Sequence, residues 1–161
     1  MRSAILILFL IGGFYQTKAV MPLKGFERQA YYKVLKSGTV DIIDEEIAAV
    51  QSSGISGKDA FEGTLLMKKA GMMSKPKDKL ELFKKGRIKL ETAISNDNTN
   101  TEYRFMRLII QEHAPKILKY RSDIEKDAAL IHGSFKKLSP EVQSAVMDYR
   151  KQSNTLKKFN F

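Results

Sequence analysis

Residues 76–96 read PKDKLELFKKGRIKLETAISN. Their apolar side chains do not alternate as a strand requires. Leu80, Phe83, Leu90 and Ile94 recur at three-, seven- and four-residue steps, which lines up one face of a helix. Lys84, Lys85, Lys89 and Glu91 flank that stripe or face away from it. Pro76 occupies a first-turn position, where the missing N–H costs nothing. The spacing therefore predicts a long helix from Pro76 to about Asn96. Gly86 and Ala93 lie beside the stripe, so a neighbouring helix is expected to approach closely at these small residues.

The same periodicity extends in both directions. Upstream, Met72 to Pro76 reads as a loop, and Gly54-Ile55-Ser56-Gly57 as a break. Ser56 with Asp59 has the spacing of a capping box, opening a helix that runs through Met67 to about Gly71. A helix over about Val40 to Gln51 aligns Ile43, Ile47 and Val50, with Asp44, Glu45 and Glu46 toward its positive N-terminal end. The first helix, about Phe26 to Lys36, packs Ala30, Val34 and the adjacent tyrosines and stops at Ser37-Gly38, giving a helical hairpin with the second.

Downstream, Asn96 to Asn100 is a turn, after which Thr99 or Thr101 is expected to cap a fifth helix, Thr99 with Glu102 having the spacing of a second capping box. Tyr103, Phe105, Met106, Leu108, Ile109 and Ile110 cover a wide arc, which predicts a central helix buried on more than one side. Ala114-Pro115 interrupts the pattern. Ser122 with Glu125 is expected to cap a sixth helix carrying Ile124, Ala128, Ile131, Phe135 and Leu138. Ser139-Pro140-Glu141 is an N-cap, N1 proline and first-turn acid, opening a seventh helix through Val142, Ala145, Val146 and Tyr149 that frays after Ser153. The tail 154–161 is basic, ends in Phe159 and Phe161, and has two fates open to it: docked or loose. The expectation is an all-α chain of about seven helices in antiparallel hairpins, either a stacked array or an irregular bundle.

The start of the chain has a different character. Arg2 precedes an apolar run from Ser3 to Tyr15, and Thr17-Lys18-Ala19 supplies small residues at the two positions a signal peptidase reads. Residues 1–19 are therefore expected to be a cleavable signal peptide, with residues 20–153 as one helical domain. An uncleaved membrane anchor is the alternative, although the run is broken by Gly12-Gly13 and falls short of the roughly 20 apolar residues a span needs. Export places the domain in the periplasm or outside the cell. About 140 residues would remain, enough for a real core. The chain has no cysteine, so no disulfide, thiolate metal site, thiol nucleophile or lipidated thiol is available and stability must come from packing. Its formal charge of +10 would become +8 with the leader removed, which favours acidic polymers or an anionic membrane surface and also serves solubility. Export argues against intracellular nucleic acid.

Gly86, Leu90, Ala93-Ile94, Asp97-Asn98, Asn100 and Glu102-Tyr103 resemble the second helix, turn and next start of a tetratricopeptide repeat, over roughly residues 57–110. Asn98 stands at the position of that family's proline. The stretch from Glu102-Tyr103-Arg104-Phe105 to His113-Ala114-Pro115 is similar to a type of small exported bacterial protein. These resemblances imply helical hairpins and export, and they bring no activity.

Signatures of chemistry are sparse. His113 and His132 form no His-Glu-x-x-His pair, so no metal is implied. His113 closes a helix, where an imidazole satisfies terminal carbonyls, and His132 is expected to be half-buried among Leu130, Ile131 and Gly133. No serine sits on a nucleophile elbow and no glycine cluster cradles phosphate, so neither catalytic residues nor a cofactor are expected. The candidate binding constellation is Arg104 and Arg107 on the fifth helix with Lys116, Lys119, Tyr120 and Arg121 after Pro115. If the sixth helix folds back, these would make a basic patch with an aromatic neighbour, suited to carboxylate, phosphate or acidic sugar. The competing expectation pairs the arginines with Glu102, Glu112 or Asp123. The leading functional expectation is an exported, non-enzymatic helical module that holds a protein or peptide partner. The alternatives are a polyanion or membrane-surface binder and an envelope-polymer hydrolase using paired carboxylates.

Overall fold

Among residues 25–161, the stretch that the computed structural model describes, the backbone forms seven α-helices and no strand. They are α1 (Arg28–Ser37), α2 (Val40–Ser52), α3 (Lys58–Met72), α4 (Pro76–Asn96), α5 (Thr101–His113), α6 (Ile124–Ser134) and α7 (Pro140–Arg150). Single 3-10 turns occur at Lys116–Leu118, Phe135–Lys137 and Leu156–Lys158. The chain is all-α, as its periodicity predicts. The expected leader, residues 1–19, lies outside the described residues. No helix among the described residues is long and apolar enough to cross a membrane.

Helix α4 takes the predicted bounds and buries Phe83, Gly86, Leu90, Ala93 and Ile94. Leu80, expected on the same stripe, is 42 % exposed. At 3.6 residues per turn it lies about 90° round from the mean direction of the buried five, so it points past the interface. The close approach predicted at Gly86 is made to Gly63 of α3. A Cβ placed on Gly63 would come within 2.5 Å of the Gly86 carbonyl oxygen, and one on Gly86 would strike the Gly63 carbonyl in turn. Two helices can touch backbone to backbone only where both side chains are hydrogen.

Helix α5 is central, packing on α3, α4, α6 and α7. Phe105, Met106 and Leu108 are fully enclosed, so its wide apolar arc is covered on several sides as expected. Helix α1 packs on α7 as well as α2. The first and last helices thus meet, whereas in a stacked array each unit touches only its sequence neighbours.

The three expected capping boxes give way to other arrangements. Helix α3 is entered through Gly57 in the left-handed region at φ 72°, which leaves Ser56 outside the cap, and Asp59 binds Lys89 at 2.5 Å instead. The Tyr103 hydroxyl occupies the space a Gly57 side chain would need. Asn100, neither Thr99 nor Thr101, caps α5, its side-chain oxygen accepting from the Tyr103 N–H at 3.2 Å, while Glu102 turns inward to Arg28 and Tyr32. At α6 the N-cap is Asp123, and Ser122 donates to its carboxylate at 2.7 Å. Helix α7 starts at Pro140 behind Ser139, as the sequence predicts.

Of the two fates open to the tail, docking is the one adopted. Leu156 is fully buried with Ser153 and Thr155 beside it. Glu112 of α5 accepts from the Ser153 hydroxyl at 2.9 Å, the Thr155 N–H at 3.1 Å and the Tyr149 hydroxyl at 2.7 Å. Arg150 donates to the Phe159 carbonyl at 2.9 and 3.3 Å. The Phe161 ring stacks edge-on against Phe135 at 4.9 Å. His132, expected to be half-buried, lies on the exposed side of α6. Its Nε2 donates to the Asn160 carbonyl at 2.7 Å, between the Phe159 and Phe161 rings.

Candidate functional site: a split basic patch and a lysine-rimmed cleft

The six residues expected to share a basic patch fall into two groups. Helix α6 does fold back on α5, but it carries carboxylates to the arginines. Arg107 is 4 % exposed and donates through Nε and Nη2 to Asp127 at 2.7 and 2.8 Å, and through Nη1 to Glu91 at 3.0 Å. Asp123 stands 3.4 Å away. Burial works against the charge of Arg107, and the hydrogen bonds and charge of Asp127, with Glu91 and Asp123, more than offset it, raising the guanidinium above its usual range. Tyr120 is also buried, its hydroxyl donating to Glu91 at 2.5 Å, and burial pushes the phenol well up. Arg104 donates to the Asn98 carbonyl at 2.9 Å and lies 3.8 Å from Asp127. Arg104, Arg107 and Tyr120 therefore belong to a buried ionic network rather than to a ligand-facing patch. Lys116, Lys119 and Arg121 remain exposed on the loop that follows α5.

A deeper concavity than this loop lies elsewhere on the described residues. A cleft of about 990 Å³ opens between α1, α3, the end of α5 and α7. Its floor is apolar: Met67 from α3, Phe83 from α4, Phe105, Ile109 and Ile110 from α5, and Leu118 beyond them. Met72 and Met147, each about two-fifths exposed, stand at its lip. Thioether side chains are unbranched and polarizable, so such a floor adapts to more than one apolar shape. The rim carries five lysines, Lys33, Lys36, Lys68, Lys79 and Lys151, against two carboxylates, Glu141 and Asp148.

Those carboxylates are already engaged. Asp148 accepts from Lys36 at 2.7 Å and Lys151 at 3.2 Å, and these bonds hold its carboxyl below the ordinary range; a hydrogen bond from Ser139 does the same for Glu141. Neither is therefore held protonated at neutral pH, as the general acid of a glycosidase must be. Lys68 is the conspicuous cation. Burial lowers its ammonium from the ordinary lysine value, its Nζ donates to the Lys36 carbonyl at 3.4 Å, and it has no carboxylate partner among the described residues. His113 also lines the cleft. Its Nδ1 lies 2.9 Å from the Ile109 carbonyl, the helix-closing role expected of it, and because a carbonyl only accepts, Nδ1 carries the proton. No cluster of three or more metal-ligating side chains occurs among the described residues.

A second, more open depression of about 730 Å³ lies between 98–102 and Leu138 to Val142, and its Arg28 is bound by Glu102. No sequence spacing singles out the cleft, because its floor and rim are assembled from distant helices. The only local hints are the Lys68-Lys69 and Met72-Met73 pairs at the end of α3. No protein-family model, curated protein or solved structure matches the chain.

Proposed function

We propose that this chain is an exported, non-enzymatic binding module of the cell envelope, released by cleavage after Ala19, whose cleft holds an amphipathic acidic segment of a protein partner. One observation carries the reading: an adaptable apolar floor lined by methionine and aromatic residues beneath a rim where lysines outnumber carboxylates. Helical or extended peptides bind such grooves by laying apolar anchors on the floor, and acidic flanking residues select a cationic rim. The volume lies at the upper end of the range for single small-molecule sites, which favours a chain-like occupant. The likeness of residues 57–110 to a tetratricopeptide hairpin supports a peptide-holding role, and the signal-like residues 1–19 support an envelope location.

The test is fluorescence anisotropy with a labelled amphipathic peptide bearing glutamates beside its apolar face. Saturable binding is expected, weakened about tenfold by Lys68→Glu, in line with a desolvated charge contact, and weakened again by Met147→Asp at the lip. Binding that ignores both substitutions, or uptake of a single-chain anionic lipid in place of the peptide, overturns the proposal.

A further inference from the structure

Ile117 is the most exposed large apolar side chain among the described residues, at 87 %. Scattered surface hydrophobics are ordinary in soluble proteins, so exposure alone says nothing. What distinguishes Ile117 is that a well-anchored loop holds it outward. Ala114 and Tyr120 are buried on either side. The Leu118 and Lys119 N–H groups each donate at 3.0 Å, to the Pro115 and Lys116 carbonyls, closing a 3-10 turn. Arg121 spans the base of the loop, donating to the Ala114 carbonyl at 3.4 Å. Lys119 sits at φ 46°, the one non-glycine residue with positive φ among the described residues. A side chain in that region costs about 1 kcal/mol or more, so packing of Tyr120 against α4 must hold it there. The result returns Tyr120 to the core and leaves Ile117 projecting.

The surroundings of that projection are cationic. Lys116, Lys119 and Arg121 flank it, and none makes an ion pair with a carboxylate among the described residues. Arg87 of α4 stacks its guanidinium 4.6 Å from the centre of the Tyr120 ring, which helps fix the end of the loop. An anchored apolar tip on a loop that carries three exposed cations without carboxylate partners matches the boundary of an anionic bilayer, where phosphates lie outside the acyl chains. A soluble polyanion would meet the cations and leave the isoleucine unused.

We propose that the loop 115–121 docks the protein on an anionic lipid surface, with Ile117 entering the acyl boundary and Lys116, Lys119 and Arg121 contacting lipid phosphates. None of these four residues lines the cleft, and the docking does not depend on the peptide-binding reading.

Because the chain has no tryptophan, Ile117→Trp installs a single reporter in the full-length protein. Its emission is expected to shift to the blue with phosphatidylglycerol-containing vesicles and to be quenched by brominated acyl chains, while vesicles of phosphatidylcholine alone leave it unchanged. Ile42→Trp, on α2 at another exposed isoleucine, is expected to show neither effect, which separates the loop from any contact made by the N-terminal residues. Adding Lys116→Glu and Lys119→Glu should raise the lipid concentration for half-maximal shift at least about tenfold, since each cation near such a surface counts for a severalfold change. The proposal is overturned if the Ile117→Trp reporter fails to shift with anionic vesicles, shifts equally with zwitterionic ones, or responds identically to heparin.

Discussion

Arg107 on α5 and Asp127 on α6 form a two-bond pair, at 2.7 and 2.8 Å, that is almost wholly excluded from water. This contact clamps the hairpin formed by the two helices. Breaking a buried pair from one side costs about 3–5 kcal/mol when the other charge is left alone, and here Glu91 at 3.0 Å and Asp123 at 3.4 Å still face the guanidinium, so the lower figure of about 3 kcal/mol applies. Asp127→Ala should therefore lower unfolding free energy by about that much, measured by urea denaturation. Replacing both residues together, as Arg107→Met with Asp127→Leu, should recover most of the loss. A double variant no more stable than Asp127→Ala would show that the pair does more than satisfy itself.

Gly63 and Gly86 set the separation of α3 and α4. In an ordinary exposed helix Gly→Ala stabilises, by up to about 1 kcal/mol. At Gly86 the added methyl would collide with the Gly63 carbonyl and with Met67 and Leu66, so the sign should reverse. Gly86→Ala is expected to lower the thermal midpoint. Gly71, with open space around its Cβ position, provides the comparison, and Gly71→Ala should raise it.

The C-terminal segment is part of the core by packing. Ending the chain after Ser153 removes buried Leu156 and deprives Glu112 of one backbone donor. A lost leucine alone is worth about 2–5 kcal/mol. Truncation should destabilise by at least the lower figure and speed amide exchange at the end of α5. A truncated chain as stable as the full one would show that the tail only rests on the surface.

Glu102 gives the molecule a pH signature. Burial pushes its carboxyl above the ordinary range, while Arg28 and the hydrogen bonds from Arg28 and Tyr32 pull it back in part. The folded state therefore holds this proton more tightly than the unfolded chain. The corresponding stability is present in full below the usual glutamate pKa of about 4.3 and is lost as pH rises through the raised folded value. Glu102→Gln should flatten that descent in urea midpoints collected across the window. An unchanged slope would place the effect on another group.

The stretch 76–96 was legible because a helix's interior face is written as local spacing. Its two ends were equally legible, since Pro76 and the Asn-rich turn are local signals. The arc of α5 could be read in the same way as the mark of a central helix. Leu80 was misread because four apolar residues define a stripe only to within a broad angle, and the partner helix decides which edge is covered. The capping boxes failed for a related reason: their acids, Asp59, Glu102 and Glu125, found tertiary partners in Lys89, Arg28 and Lys158 that competed with the local bond. In the candidate patch, the loop cations Lys116, Lys119 and Arg121 are exposed, because no element packs over the loop that carries them. Arg107 is paired as the competing expectation has it, with Asp123 among its acids, while the nearer carboxylates that bury it and Tyr120 arrive from α4 and α6, which local spacing does not reveal.

The amino-acid sequence by itself determined that this chain is helical, where most of its helices begin and end, and that packing rather than cross-links must stabilise it. Those properties follow from periodicity, turn chemistry and composition, which act over a few residues. The tertiary structure alone decided which glycines meet, which cations are neutralised, and that Met67, Phe83, Phe105 and Leu118 share one cleft beneath a lysine rim. Such juxtapositions are set by how helices distant in sequence close on one another, and a 3.6-residue period carries no information about that.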